Sequence, residues 1–174
     1  MSKSKFNVVN PDDICDQYGA DTLRMYEMFL GPIEQSKPWS TRGISGVHSF
    51  LKKFWNLFFL NEEFSLSKDD ASEESIKILN QTIKKVTNDI EKFSLNTCVS
   101  SFMICINKLT EEKCNSESVL KPLLVLISPF APHFAEELWS LMGNKKSIVD
   151  EPFPIHDDSV LIESQKEYPV SFNG

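Results

Sequence analysis

The sequence predicts an all-α protein built as an antiparallel helix bundle, and three observations carry that reading. Apolar residues recur at helical spacing, most cleanly where Ile76, Leu79, Ile83, Val86, Ile90 and Phe93 step by 3, 4, 3, 4 and 3; this is the interval at which one face of a helix returns. The periodic stretches are joined by short polar turns, which favour antiparallel neighbours. Boundary residues stand where helices begin and end: Asn10-Pro11 ahead of one stretch, and Gly19, Gly31 and Gly143 behind others.

Taken in order, residues 6–9 (FNVV) read as a short extended arm because of their adjacent β-branched pair. Asn10 at the cap, Pro11 at the first helical position and Asp12 and Asp13 in the first turn predict a helix to about Tyr18, stopped by Gly19. A second helix is expected from about Ala20 to Leu30, with Leu23, Tyr26 and Leu30 on one face. Residues 33–46 (IEQSKPWSTRGISG) form a Pro-, Ser- and Gly-rich loop and the natural domain boundary. A third helix is predicted from about Ile44 to Asn61, its stripe made by Val47, Phe50, Leu51, Phe54, Leu57 and Phe58.

After a polar connection, Asp70 and Glu73 look like a capping box for the helix of roughly 71–93. A further helix should span about Asn96–Glu112, with Leu95, Val99, Phe102, Ile106 and Leu109 inward. Ser116 is expected to cap a helix to about Ile127, and a last one runs from about Pro132 to Met142. From Lys145 onward Pro152, Pro154 and Pro169 predict an irregular tail with a strand at 168–172. The domains expected are 1–32, 33–143 and 144–174.

With 41% hydrophobic and 25% charged residues, the 174-residue chain buries a core without help from disulfides or metal. Cys15, Cys98, Cys105 and Cys114 form no CxxC pair and no His lies three to five residues from another, so no zinc site is indicated. Buried free thiols are the better reading of Cys98 and Cys105. The apolar run Leu123–Pro132 is too short for a bilayer and no secretion-signal pattern opens the chain, so no membrane role and a cytoplasmic setting are expected.

The net charge of −7 argues against an all-over nucleic-acid binder. It is uneven, however: residues 1–60 hold 7 Lys+Arg against 6 Asp+Glu, whereas 61–174 hold 11 against 19. A local basic face is therefore compatible with the total. The bundle shows no paired carboxylates and no nucleophile motif, and His133 near a helix start reads as an ordinary hydrogen-bonded histidine. Lys77, Lys84, Lys85 and Lys92 form a stripe best read as a solvated face. Lys52 and Lys53 project partly from the third helix.

The chemistry-bearing stretch is the opening, where Ser2 and Ser4 flank Lys3: a mobile ammonium between hydroxyls suits phosphate oxygens. "MSKSKFNVVNPDDICDQYGADTLRMYEMFLGPIEQSKPW" resembles class I aminoacyl-tRNA synthetases just after their catalytic domain, with "MSKS" matching four of the five letters of the KMSKS signature. "YEMFLGPIEQSKPW" followed by "GVHSFLKKFWNL" is similar to leucyl members of the bacterial type, and "LISPFAPHFAEELW" to a recurring motif of their helical bundle.

The resemblance implies that 1–32 is the signature loop with a stem-contact-like segment, that 33–143 is an anticodon-binding-type bundle, and that 144–174 opens a further C-terminal domain. It implies a piece of a longer chain whose Rossmann catalytic, editing and C-terminal domains lie elsewhere, so that this portion alone neither activates leucine nor keeps ATP bound. Lys3 matches the signature lysine that contacts ATP phosphates, in a magnesium-dependent reaction; Met1, Ser2 and Ser4 match the rest of that loop. Phe6 departs from the usual glycine, which puts the loop's return path in doubt. Glu34, Gln35, Trp39 and Arg42 would lie beside tRNA-Leu, of which Trp39, Arg42, Lys52 and Lys53 are the contact candidates, through backbone and shape rather than anticodon bases. Two alternatives stay open: a valyl, isoleucyl or methionyl relative, and a stand-alone helical protein-interaction module.

Overall fold

The computed structural model describes residues 9–161. Seven helices are present among them: α1 (Pro11–Tyr18), α2 (Ala20–Phe29), α3 (Ile44–Asn56), α4 (Glu73–Glu91), α5 (Leu95–Glu111), α6 (Glu117–Ile127) and α7 (Pro132–Leu141). A two-stranded hairpin, β1 (Phe59–Leu60) with β2 (Glu63–Phe64), lies between α3 and α4. The all-α class and the bundle architecture are thus as the periodicity predicts. The arm expected over 6–9 lies, Val9 apart, outside the described residues, as does the strand at 168–172.

Local chemistry explains the boundaries. Asn10 Oδ1 accepts the Asp12 N–H at 3.2 Å, capping α1 as expected. Gly19 then adopts φ +87° and ψ 150°, a conformation open essentially only to glycine, and turns α1 directly into α2. On α2 the fully buried residue is Met25, while Leu23 and Leu30 are only half-buried.

Four boundaries differ from expectation. α3 ends at Asn56 instead of about Asn61, because Asn61 and Glu62 take left-handed φ of 50° and 67° and close the hairpin. The hairpin pairs Phe59 with Phe64, whose ring meets that of Phe59 edge-on at 5.6 Å. α4 is capped by Ser72, whose Oγ accepts the Ser75 N–H at 3.1 Å, so Asp70 and Glu73 make no capping box. Phe93 is 66% exposed rather than inward, because α4 has ended and Phe93 sits at φ +57° while the Ser94 N–H reaches back to Asp89. Ser116 stands at the N-cap position of α6, but its hydroxyl donates to the Asp69 carbonyl; the Glu117 N–H is taken by the Ser67 carbonyl instead.

One hydrophobic core runs through the described residues from Ile14 to Ile148. Its largest wholly buried side chains include Trp139, Phe54, Phe58 and Phe102. α4 and α5 share the most extensive helix contact, and α2 packs on both α3 and α5. The tail is irregular, with short 3-10 turns at Ile148–Asp150 and Asp158–Leu161. It folds back along the bundle: the Trp139 indole N–H donates to the Lys146 carbonyl at 2.9 Å, and the Asp157 N–H to Asn80 Oδ1 at 2.7 Å.

Candidate nucleic-acid interface

The loop between α2 and α3 is laced to α2 by side chains reaching its backbone. Lys37 Nζ donates to the Gly31 carbonyl, and the Tyr26 hydroxyl donates to the Ser40 carbonyl. Gly43 admits the Tyr26 ring, since a Cβ there would sit 2.9 Å from Tyr26 Cε2. Burial, and then the neighbouring Glu27 charge, push the Tyr26 phenol above its ordinary range, so it remains a donor.

Trp39 packs edge-on to Tyr26 at 5.3 Å, half-buried, with its indole nitrogen shielded and unpartnered among the described residues. Arg42 is exposed at the end of the same loop, where its backbone is fixed by Ser40 Oγ on the N–H and Ser45 Oγ on the carbonyl. An anchored loop with an exposed guanidinium can meet a phosphate at little ordering cost.

Lys52 and Lys53 are both exposed on α3, yet their surroundings differ. Lys53 Nζ donates to Asn107 Oδ1 at 2.8 Å across to α5. Lys52 instead lines an open, mostly apolar groove shared by the α1–α2 junction, α3 and α7, with Tyr18, His48, Trp55, His133 and Phe134. The rings are held in place by one another: Tyr18 against His48 at 5.7 Å, Trp55 stacked on Phe59 at 5.1 Å and edge-on to Phe134 at 5.9 Å. Aromatic faces beside an ammonium form the kind of surface on which RNA bases and phosphates rest. This groove was not legible beforehand, because its walls come from three separate parts of the chain.

His133 is hydrogen-bonded, as expected, with its Nδ1 2.8 Å from Asp21 Oδ1. The lysine stripe on α4 is largely matched by acids, Lys84 by Asp158 at 2.7 Å and Lys85 by Asp89 one turn on. Burial above all holds the Cys98 and Cys105 thiols up to about 11, so both stay protonated and offer no nucleophile. Among the described residues no group of three or more His, Cys, Asp or Glu is placed to hold a metal ion. No helix among them is long and apolar enough to cross a membrane. Met1, Ser2, Lys3 and Ser4 lie outside the described residues.

Residues 72–173 match the family described as the anticodon-binding domain of tRNA ligase. The chain belongs to that family. Over all 174 residues it is 63% identical to the leucine–tRNA ligase of Christiangramia forsetii and 61% identical to that of Flavobacterium psychrophilum. It spans 18% of the length of each of these relatives. A crystal structure of the ternary complex of LeuRS, tRNA and LeuAMS from Agrobacterium radiobacter K84 superposes with a TM-score of 0.77 at 29% identity, covering 93% of this chain and 23% of that one. In this anticodon-binding domain the matched region opens at the Ser72 cap of α4, so α1–α3, Lys52 and most of the groove precede it.

Proposed function

We propose that the chain is the tRNA-holding portion of a cytoplasmic leucine–tRNA ligase, whose whole protein activates leucine with ATP and transfers it to tRNA-Leu. The observation that carries this reading is identity above 60% to leucine–tRNA ligases over the whole 174 residues. In this reading 1–32 delivers the loop, 33–143 holds the RNA and 144–174 leads onward to a further domain. Lys3 supplies a positive charge to ATP phosphates as pyrophosphate leaves, worth roughly 3 kcal/mol in an organised site. Met1, Ser2 and Ser4 shape the loop around it.

The described contribution is RNA docking. Arg42 and Lys52 present exposed cations, and the Tyr18, Trp55 and Phe134 rings present apolar faces in the groove that Lys52 and His133 also line. Lys53, held by Asn107, must exchange that bond for a phosphate. Trp39 acts by bracing the loop that carries Arg42. Two measurements on the full-length enzyme test the reading. Lys3→Ala should abolish most leucine-dependent ATP–pyrophosphate exchange while leaving tRNA affinity unchanged. Lys52→Glu should weaken tRNA binding by about 1 kcal/mol and lower the salt slope of log K by about 1, with exchange intact. Normal exchange in the Lys3→Ala enzyme would remove the assignment.

A further inference from the structure

Asp21 and Arg24 stand three residues apart on α2 and grip both sides of the turn that joins α6 to α7. Asp21 Oδ2 accepts the Phe134 N–H at 2.6 Å while Oδ1 meets His133 Nδ1 at 2.8 Å. Arg24 donates Nε and Nη2 to the Pro129 carbonyl at 3.2 and 3.0 Å. α7 has Ala131 at its N-cap and no capping side chain of its own, so a carboxylate 113 residues earlier in the chain satisfies one of its free N–H groups. Signs match at both ends: the anion meets the positive N-terminus of α7, and the cation lies just past the negative C-terminus of α6. Asp21 is only 8% exposed, although carboxylates in the first turn of a helix ordinarily face water.

Stability alone does not require this arrangement. α2 already buries Met25 and Tyr26 and packs on α3 and α5. Apolar contacts hold a helix down without fixing its direction closely, whereas charge-assisted hydrogen bonds impose an angle. We propose that Asp21 and Arg24 are positioning residues. They set the angle at which the α1–α2 hairpin, which follows residues 1–8 in the sequence, stands on the RNA-holding bundle. With that angle fixed, tRNA held by the bundle delivers its 3′ end to the pocket that the Lys3 loop serves. The inference rests on the reading of the chain as part of a leucine–tRNA ligase.

The test uses the full-length enzyme and two reactions: leucine-dependent ATP–pyrophosphate exchange without tRNA, and charging of tRNA-Leu. In Asp21→Ala and Arg24→Ala, exchange should stay within twofold of the unmutated enzyme, because activation needs no bundle-bound RNA. The kcat for charging should fall at least tenfold with KM for tRNA changed less than threefold. Asp21→Asn, which still offers Phe134 N–H an acceptor, should recover most of the charging. Parallel losses of exchange and charging, or unchanged charging, would mean that the pair only holds the fold, and the inference fails. Should Asp21→Ala not fold, as judged by thermal unfolding, Arg24→Ala decides by the same split. Absence of exchange in the unmutated protein defeats the ligase reading, and the positioning inference with it.

Discussion

α4 packs on α5, and Ile83 and Val86 on the one and Val99, Phe102 and Ile106 on the other are all at most 3% exposed. Where α2 meets the α6–α7 turn, contact is made instead by a carboxylate, a guanidinium, an imidazole and two backbone groups. The first region is shaped by burial, which tolerates small shifts as long as volume is kept. The second depends on hydrogen-bond direction and forgives little. The groove with Lys52 lies on the second side, as does the α1–α2 hairpin. The apolar half is therefore the base of the bundle, and the polar half fixes the angle at which α2 stands on it.

The largest expected effect lies in the apolar half. Phe102 is fully buried, its ring 5.1 Å from that of Phe130 and edge-on to it. Phe102→Ala should lower stability by about 3–5 kcal/mol through lost burial and a cavity, read as a shifted urea midpoint with unchanged slope. A loss below about 1 kcal/mol would show that this half is not the base supposed here. The contrast with the polar half is sharpened by exchange: Arg24→Ala should reduce charging while moving the unfolding midpoint far less than Phe102→Ala does.

The apolar half was legible in the sequence because helical periodicity encodes it. Val47, Phe50, Leu51 and Phe54 of α3, Val99, Phe102, Ile106 and Leu109 of α5 and the thiols Cys98 and Cys105 are buried as read, while Leu57 lies past the end of α3 and, like Leu95, is half-buried. The polar half was not, for a physical reason. Asp21 looks like any first-turn acid and Arg24 like any surface cation, and only the folded chain brings Pro129 and Phe134 to them across more than a hundred residues. Local misreadings had local causes. Phe93 continued the α4 period but fell just past the helix end, at a left-handed position usually given to glycine. Asp70 and Glu73 had the letters of a capping box, yet Ser72 lay closer to the turn that needed capping.

A second prediction separates backbone from packing at the joint itself. Nothing lies within 4 Å of a Cβ built on Gly19 or on Gly46, so neither position is protected by crowding. Gly19 has φ +87° and Gly46 lies inside α3. Gly19→Ala should cost about 1–3 kcal/mol from strain alone, and it should impair charging by altering how α1 enters α2. Gly46→Ala should instead stabilise by about 0.5–1 kcal/mol through helix propensity. Effects of the same sign at both positions, measured by thermal unfolding, would contradict the account of the hairpin turn.

The smallest effect is expected where the tail meets α4. The Asp158 carboxyl is held below its ordinary range first by the hydrogen bond from Lys84 and then by that ammonium's charge. A carboxyl whose folded value is depressed adds stability that is complete above the ordinary carboxylate range and fades as pH falls through the folded value. Both partners are well exposed, at 47% and 69% of their side-chain surface, so salt should screen the pair. Lys84→Ala should accordingly shift the unfolding midpoint only slightly at neutral pH and low salt. The difference should vanish in about 1 M salt, where the screening length is near 3 Å, and again in acid. A difference that survived high salt would mean that the Lys84 stem packs against the tail, and would place the 158–161 turn with the apolar base rather than among the loosely held surface segments.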